Sequence, residues 1–353
     1  MTTTQRGRRR RRGIALGLGA VAAGLAVWPR LARRRVAVER VVPGLRNPVL
    51  YLPLSIRGDG ALGVMRLLGR VPVPVPTDVE VDTRLVPAGE APDVGIVTYE
   101  RADRSRPSGA LLWIHGGGFV LGTPAQGHEL CRGLARELDI LVVSVDYRLA
   151  PEHPFPDGLD DCLAALRWLG DQAASIGVDP QRIAVGGDSA GGGLAAALSQ
   201  RARDAGGPSI CFQLLEYPML DDRTSLRTDH AGRGTFVWTP ASNRYAWAAY
   251  LGRPPGHDEQ RPYAAAARTR DLQGLPPAWI GVGDLDLFYD EDVDYAERLQ
   301  RAGVACELHV EPGMYHGADS IMTRAPISRS FRSRMSAALS AGLGLPAAAP
   351  GQA

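Results

Sequence analysis

Lysine is absent from this 353-residue sequence, so all forty basic residues are arginine. We interpret this bias as a consequence of genomic base composition rather than of chemistry. The formal net charge of +2 hides an asymmetry, because residues 1–40 carry eleven Arg and one Glu, a net charge of +10, which leaves −8 on residues 41–353. A mildly acidic body argues against nucleic acid as a partner.

Metal-binding patterns are also absent. The cysteines are four and stand singly, without a C-x-x-C pair or a zinc spacing, and the seven histidines include no H-E-x-x-H motif. The sequence therefore predicts no metal and no cofactor. Each cysteine lies in an apolar element, which favours the interpretation that the cysteines are small core residues. A disulfide between two of them stays open as the alternative. They are Cys131, Cys162, Cys211 and Cys306.

No apolar run is long enough to be an ordinary membrane span. Gly13 to Trp28 is uncharged for sixteen residues, whereas a spanning helix needs about 20. Arginines precede it at 8–12 and follow it at 30 and 33–35. Basic residues tend to stay in the cytoplasm. Residues 1–40 are therefore a membrane-associated or inserted segment, a cleaved export signal or a disordered basic arm, and the predicted location is membrane-associated or cytoplasmic, with export open.

Strands and helices alternate through most of the remaining chain. Residues 41–76 are broken by prolines and predict one short amphipathic helix, Gly60 to Gly69. An antiparallel edge pair is predicted at 79–86 and 94–99. Repeated strand–helix alternation after it predicts a mostly parallel sheet with helices on both faces. The predicted strands are 110–114, 140–145, 183–185, 210–215, 278–282 and 306–310, and the predicted helices are 158–169, 194–198, 290–302 and 326–343.

One connection, from Tyr217 to Pro277, is too long for a simple crossover. Insertions at the carboxyl edge of such a sheet commonly form lids. The alternative is that its aromatic side chains fill a core at helical spacing. They are Phe236, Trp238, Tyr245, Trp247 and Tyr250.

The chain is organised around a serine in the pattern G-x-S-x-G, from Gly187 to Gly191. A buried strand precedes the pattern and an alanine-rich helix follows it, which is the context of a nucleophile elbow. Glycines two residues before and after Ser189 let strand and helix pass closely and permit a strained turn. The pattern therefore predicts that the Ser189 hydroxyl is held out at the end of the sheet, at a helix N-terminus that favours developing negative charge.

Consecutive glycines follow the strand that ends at Ile114, in the run His115-Gly116-Gly117-Gly118. Backbone N–H groups of such a loop can approach a ligand without obstruction by side chains. In an acyl-transfer site they bind the oxyanion, together with the N–H that follows the nucleophile. Gly117, Gly118 and Ala190 are the predicted oxyanion hole.

A serine nucleophile needs a base and an orienting carboxylate. Of the histidines after the serine, His230 and His257 lie in the insertion and His309 lies within a strand. His316 follows the last strand on a turn that can present it to the serine, and it is the predicted base. Asp284 and Asp286 both end the preceding strand, and periodicity does not separate them. Asp290 opens the next helix as its predicted cap.

The sequence resembles the hormone-sensitive lipase-like branch of the α/β hydrolases, of the bacterial carboxylesterase and lipase type. The resemblance covers about residues 79 to 343 and rests on several motifs: His115-Gly116-Gly117-Gly118, Tyr147-Arg148-Leu149-Ala150-Pro151-Glu152, Gly187-Asp188-Ser189-Ala190-Gly191-Gly192, Asp286-Leu287-Phe288-Tyr289-Asp290-Glu291 and His316-Gly317.

The resemblance implies that Asp286, the first residue of its motif, is the acid, and that His115 is structural. It also implies an α/β-hydrolase domain over 41–343 with a helical cap from about 41–76 and 221–270, and we expect 344–353 to be a flexible tail. Ala318 departs from the Phe that members of the family often have after His-Gly. This change is expected to widen the acyl pocket without affecting the triad.

Together these features predict a serine carboxylic-ester hydrolase that acts through an acyl-enzyme on short- or medium-chain esters. The catalytic residues are Ser189, Asp286 and His316, and the partner is a small-molecule ester. Residues 8–35 provide a possible membrane contact. Two alternatives stay open, namely amide or lactone hydrolysis by the same triad and a non-catalytic ligand-binding protein on this fold.

Overall fold

Eight strands lie in one sheet of the computed structural model, which describes residues 32–69, 74–75, 77–256 and 258–346. The strands are β1 Glu80–Ala88, β2 Ala91–Glu100, β3 Ser108–Ile114, β4 Leu141–Asp146, β5 Val178–Asp188, β6 Phe212–Glu216, β7 Ala278–Gly283 and β8 Cys306–Glu311. Their order across the sheet is β1-β2-β4-β3-β5-β6-β7-β8. β1 pairs with β2 and β2 with β4 in antiparallel sense, and all other neighbours are parallel.

Helices flank this sheet, which confirms the predicted α/β-hydrolase fold class and the antiparallel edge pair. Two long helices, α3 and α6, were not predicted individually. α3 follows the glycine loop with Cys131 and Leu134 buried, and α6 lies inside the long insertion. The helices are α1 32–39, α2 Asp59–Leu68, α3 His128–Leu138, α4 Asp157–Gln172, α5 Ala190–Asp204, α6 Pro240–Leu251, α7 Tyr289–Arg301, α8 Ala318–Ile321 and α9 Pro326–Gly342.

The parallel strands bring their carboxyl ends to one edge of the sheet. Every residue of β3 is buried, as expected for a central parallel strand between two helical layers. In register, Ile114 lies beside Gly187, and Gly283 lies beside Glu311. The glycine loop, the elbow and the turns after β7 and β8 therefore emerge together, at the edge where ligands bind in open α/β sheets.

The long insertion packs on residues 55–59 through polar side chains. The Ser55 hydroxyl lies 2.8 Å from that of Thr239, and the Ile56 N–H donates to Ser242 Oγ over 2.9 Å. The Tyr245 hydroxyl donates to Asp59 at 2.7 Å. The interpretation that the aromatic residues of the insertion fill a core is correct for those that are buried, which are Phe236, Trp238, Trp247 and Tyr250.

The contacts divide the chain into two compact units, with the boundary after Pro53. In the described part of the first unit, α1 is followed by short 3₁₀ turns at Pro43–Leu45 and Pro48–Tyr51. Arg34 donates to the carbonyls of Leu50 and Leu52. Residues 1–31, 70–73, 76, 257 and 347–353 lie outside the described residues, and with them most of the basic N-terminal segment and of the predicted tail. All four cysteines are free thiols.

Candidate active site

Ser189 occupies a strained turn between β5 and α5. Its φ is +55°, in the left-handed region that side-chain-bearing residues seldom adopt. The flanking glycines are required by close packing. A Cβ on Gly187 or on Gly191 would lie 2.4 Å or 1.9 Å from the carbonyl oxygen of Ile114, well inside van der Waals contact. The Ser189 N–H donates to the Glu216 carbonyl at 2.8 Å, which ties the turn to β6.

The three side chains predicted to form the triad lie in one hydrogen-bonded chain. Ser189 Oγ is 3.0 Å from His316 Nε2, and His316 Nδ1 is 2.7 Å from Asp286 Oδ2. The other carboxylate oxygen of Asp286 accepts the Phe288 N–H at 2.9 Å. All three side chains are buried. Asp286 therefore holds the imidazole with Nδ1 protonated, which leaves Nε2 free to accept a proton from the serine.

Asp284 lies in a different set of contacts. Its Oδ1 accepts the Gly313 N–H at 2.7 Å, so this carboxylate fixes the turn that precedes His316 and has no bond to the imidazole. The expectation that Asp290 caps the next helix is wrong. α7 begins at Tyr289 without a side-chain cap, and the Asp290 carboxylate instead binds Arg227 and Arg233.

The glycine loop lies against the elbow. The Gly116 N–H donates to Asp188 Oδ1 at 2.9 Å, so the residue before the serine holds the start of the loop. Gly117 and Gly118 have φ of +113° and +63°, conformations that glycine adopts without strain. Among the described residues, no acceptor binds the N–H groups of Gly117, Gly118 and Ala190, so all three remain available as donors.

His115 supports this loop from below. Its ring is buried, stacks on Tyr147 with a centroid distance of 4.4 Å, and bonds the Gly116 carbonyl through Nδ1 at 2.8 Å. Burial lowers the pKa of His115 to about 4, so it is neutral at physiological pH. The Tyr147 hydroxyl donates to the His115 carbonyl at 3.0 Å. These contacts agree with the structural role that the resemblance implied.

Aromatic rings enclose the imidazole of His316. Tyr217 and Phe288 meet it edge to face at centroid distances of 4.8 and 5.2 Å. The insertion adds Trp238 at 6.3 Å, and its indole also covers the glycine loop, because a Cβ on Gly118 would lie 2.1 Å from the Trp238 ring. The indole N–H donates to the buried Asn243 at 3.2 Å, which fixes this orientation. Trp238 is therefore a wall of the space beside the predicted oxyanion donors.

A buried carboxylate beneath the site escaped sequence analysis. Asp319 accepts the Tyr217 hydroxyl and the Arg332 Nε–H, each at 3.0 Å. It thereby joins the ring beside His316 to α9. Burial and the neighbouring Asp319 raise the pKa of Glu216 well above its usual range. Tyr217 and Asp319 are 102 residues apart and share no motif, so only the fold assembles this network.

Glu291 is a second residue whose role sequence analysis missed. It is buried at the start of α7, and its carboxylate accepts the N–H groups of Leu220 and Asp221 at 2.7 and 3.1 Å and the hydroxyl of Thr224. Burial raises the pKa of Glu291 well above its usual range despite these bonds. The position of Glu291 in the Asp286 motif was the available signal, and the structure adds that it anchors the start of the insertion.

The other histidines lie away from this constellation. His309 is on β8, where its Nε2 lies 2.9 Å from Glu311 and its ring stacks on Trp279. His230 lies in the insertion, and His257 is outside the described residues. Of the three described histidines that follow the serine, His316 is the one in hydrogen-bonding reach of it.

Comparison with known proteins identifies the same fold. Residues 111–320 match the family described as alpha/beta hydrolase fold. The chain is 44% identical over 236 residues to the carboxylesterase NlhH of Mycobacterium tuberculosis, covering 65% of this chain and 72% of that protein. It is 35% identical over 217 residues to the ethyl acetate hydrolase of Pseudomonas putida, covering 61% and 67%.

A solved structure titled bacterial heroin esterase also matches. Its TM-score is 0.79 at 36% identity, and the match covers 87% of this chain and 99% of that one. The likeness therefore extends beyond the matched family region to most of the described chain.

A pH-dependent stability is predicted from Asp188. Burial raises the pKa of this carboxyl to about 6, because the bond from Gly116 and the nearby His316 offset only part of the desolvation. A raised carboxyl pKa means that the folded state retains a proton that the unfolded chain releases above about pH 4, so stability falls as pH rises towards 6. Asp188→Asn keeps an acceptor for Gly116 and removes this titration. Relative to the variant, the wild type should lose about 2 kcal/mol of unfolding free energy between pH 4 and 7.

Denaturant unfolding at both pH values checks this expectation, with the exposed Asp93→Asn as the control. Equal pH dependence in wild type and Asp188→Asn would contradict it.

Proposed function

Because this chain belongs to the alpha/beta hydrolase fold family, in its hormone-sensitive lipase-like branch, we propose that it is a carboxylesterase whose nucleophile is Ser189. Relatives named carboxylesterase and esterase support the reaction class. The observation that carries the assignment is the unbroken chain from Ser189 Oγ through both nitrogens of His316 to Asp286. The strained φ of Ser189, held by glycine packing on both sides, supports a reactive rather than a structural serine.

The proposed reaction proceeds by nucleophilic catalysis. Ser189 Oγ attacks the ester carbonyl carbon as its proton passes to His316 Nε2, and Asp286 stabilises the imidazolium that forms. The N–H groups of Gly117, Gly118 and Ala190 bind the oxyanion of the tetrahedral intermediate. His316 returns the proton to the departing alkoxide, which leaves as alcohol. Water then attacks the acyl-enzyme with His316 again as base, and the acid is released.

The substrates are proposed to be esters with short or medium acyl chains. Trp238 lies on Gly118, one of the proposed oxyanion donors, so its indole limits the space into which an acyl chain can extend. A buried ring fixed by Asn243 does not move aside at low cost. Ala318, where the family often has Phe, is fully buried and leaves no side chain of that size beside the base.

The N-terminal segment is proposed to associate with membranes through residues 8–35. Arginines lie on both sides of the uncharged run, and each one near an anionic membrane surface contributes about 1 kcal/mol of favourable binding free energy. Among residues 32–69, 74–75, 77–256 and 258–346, no helix has the length and apolar character that crossing a bilayer requires. The uncharged run of sixteen residues is shorter than the roughly 20 that a spanning helix needs, so peripheral attachment is the form of association that we propose.

Amide and lactone hydrolysis by the same residues is the competing proposal. The tetrahedral intermediate and the oxyanion donors are common to all three reactions, so geometry does not separate them. Amides need a proton on a poorer leaving group, which His316 Nε2 can supply. Rates on matched p-nitrophenyl esters, anilides and lactones rank the three, and the ester is expected to be the fastest. Absence of turnover on every class would favour the ligand-binding alternative.

Ser189→Ala is the first test of the proposed function. Removing the nucleophile should lower kcat/KM for p-nitrophenyl butyrate by about 10⁴-fold or more, with unchanged circular dichroism. Ser175→Ala, at an exposed position after α4, should retain wild-type activity. An organophosphate followed by peptide mapping should label Ser189 alone. Substantial residual activity in Ser189→Ala, or a label on another serine, would rule out the assignment.

Asp286→Asn and Asp284→Asn form a matched pair. In Asp286→Asn the amide no longer stabilises the imidazolium and permits the wrong tautomer of His316, so kcat should fall by about 10⁴-fold. In Asp284→Asn the remaining amide oxygen still accepts from Gly313, so the loss should be less than about tenfold. Steady-state kinetics on one ester measures both, and comparable losses would remove the distinction between the two carboxylates.

Trp238→Ala tests the proposed limit on acyl length. Removing the indole opens space beside Gly118, so the ratio of kcat/KM for p-nitrophenyl decanoate to that for the acetate should rise about tenfold or more. Trp238→Leu, a smaller truncation, guards against loss of folding, since a buried Trp→Ala change costs about 3–5 kcal/mol. Trp168→Ala, on α4 at the β1 side of the sheet, is the control and should leave the ratio unchanged. An unaltered ratio in both Trp238 variants would place the limit elsewhere.

A further inference from the structure

Exposed apolar side chains are concentrated in one stretch of the described chain. Of the seven exposed large hydrophobic residues among the described positions of the second compact unit, five fall within residues 54–75. Single exposed hydrophobics scattered over a surface need no explanation, but a concentration of this kind marks an interaction surface. The densest part is α2, which belongs to the second compact unit.

The outer face of α2 is an uninterrupted apolar stripe. Gly60, Gly63, Val64, Leu67 and Leu68 follow the spacing of one helix face. Val64, Leu67 and Leu68 are 58%, 65% and 63% exposed, and a Cβ on either glycine would contact nothing within 4 Å. Among the described residues of α2, no charged or hydrogen-bonding side chain interrupts the stripe.

The inner face of α2 is fixed to the catalytic end of the body. Arg66 donates to the carbonyls of Val120 and Ala150 at 2.9 and 2.8 Å and pairs with Glu152. Val120 and Ala150 in turn bond the glycine loop, through the Gly117 carbonyl and the Phe119 carbonyl. The stripe therefore faces outward from the same end of the body as Ser189.

The segment just before α2 makes a second connection to the site. Ser55 and Ile56 bond Thr239 and Ser242, which follow the Trp238 wall directly in the chain. Anything that docks on the stripe is consequently next to the elements that enclose the substrate.

We propose that the α2 stripe docks on an anionic lipid surface, so that the catalytic end faces the bilayer and draws on esters dissolved in it. A stripe without polar groups suits an acyl–headgroup boundary, where no specific hydrogen bond is needed. The chain supplies the complementary charge, because residues 1–40 carry a net +10 and Arg57 is exposed beside the helix.

The test uses the full chain and vesicles of phosphatidylcholine with or without phosphatidylglycerol. Leu67→Ser and Leu85→Ser are matched, because these leucines are 65% and 69% exposed and Leu85 lies on the edge strand β1. Leu67→Ser should lower the partition coefficient on anionic vesicles about fivefold, and Val64→Ser, Leu67→Ser and Leu68→Ser combined about 10²-fold. Leu85→Ser should change it less than about twofold.

The activity measurement rests on the proposed function, and its outcomes distinguish failure of the docking surface from failure of the proposed function. Hydrolysis of a vesicle-borne ester of butyric acid with a long-chain alcohol, divided by that of soluble p-nitrophenyl acetate, should fall in the triple variant with the soluble rate unchanged. An equal fall of the soluble rate would mean damage to the fold and would overturn the docking surface. If neither substrate is hydrolysed but the partition pattern holds, the proposed function fails and the surface stands.

Three further outcomes overturn the proposal. The first is wild-type partitioning in the triple variant, or no binding by the full chain. The second is that light scattering shows a dimer for the wild type and a monomer for the triple variant, while both partition equally onto vesicles. This result would assign the stripe to contact with a second copy of the chain. The third is that, without vesicles, the wild type resists trypsin cleavage at Arg30 to Arg35 whereas the triple variant is cleaved there. This result would show that residues 13–28 cover the stripe.

Discussion

The contact of two glycines with one carbonyl oxygen is the constraint on which the catalytic edge depends. Gly187 on β5 and Gly191 on α5 both lie against the oxygen of Ile114, at the end of β3, with no room for a Cβ on either. Three backbone segments therefore meet at a distance that only hydrogen allows. The same contact brings the glycine loop, which continues from Ile114, beside the serine, so that the proposed nucleophile and oxyanion donors are positioned by one packing event.

Carboxylates then fix the loops around this junction by accepting backbone N–H groups. Asp188 holds Gly116, Asp284 holds Gly313, and Glu291 holds Leu220 and Asp221. Asp286 combines this role with its bond to His316, because one oxygen accepts the Phe288 N–H. Buried backbone N–H groups need acceptors, and these carboxylates supply them where no strand or helix does. Loops that carry the chemistry thus obtain the rigidity that a strand or helix would otherwise provide.

Local patterns were sufficient to predict the sheet, the elbow and the glycine loop, because apolar runs and glycine spacing report directly on strands and tight turns. They could not separate Asp284 from Asp286, since both end one strand and only the fold directs one to His316 and the other to Gly313. Asp290 was misassigned because arginines of the insertion bind its carboxylate. The Asp319 network depends on α9 and was out of reach of any pattern. The predicted domain limits and N-terminal segment remain predictions.

The three hydrogen-bonded side chains are synthesised at different times, because they lie far apart along the chain. Ser189 and His316 are 127 residues apart, and at about 5–20 residues per second a ribosome needs on the order of ten seconds to make that interval. The elbow, β3 and the glycine loop can form from chain that has already emerged. His316 comes later, and the Arg332 partner of Asp319 later still. A nascent chain consequently exposes the proposed nucleophile before the proposed base has been made, so the proposed hydrolytic competence waits for residues far beyond the elbow.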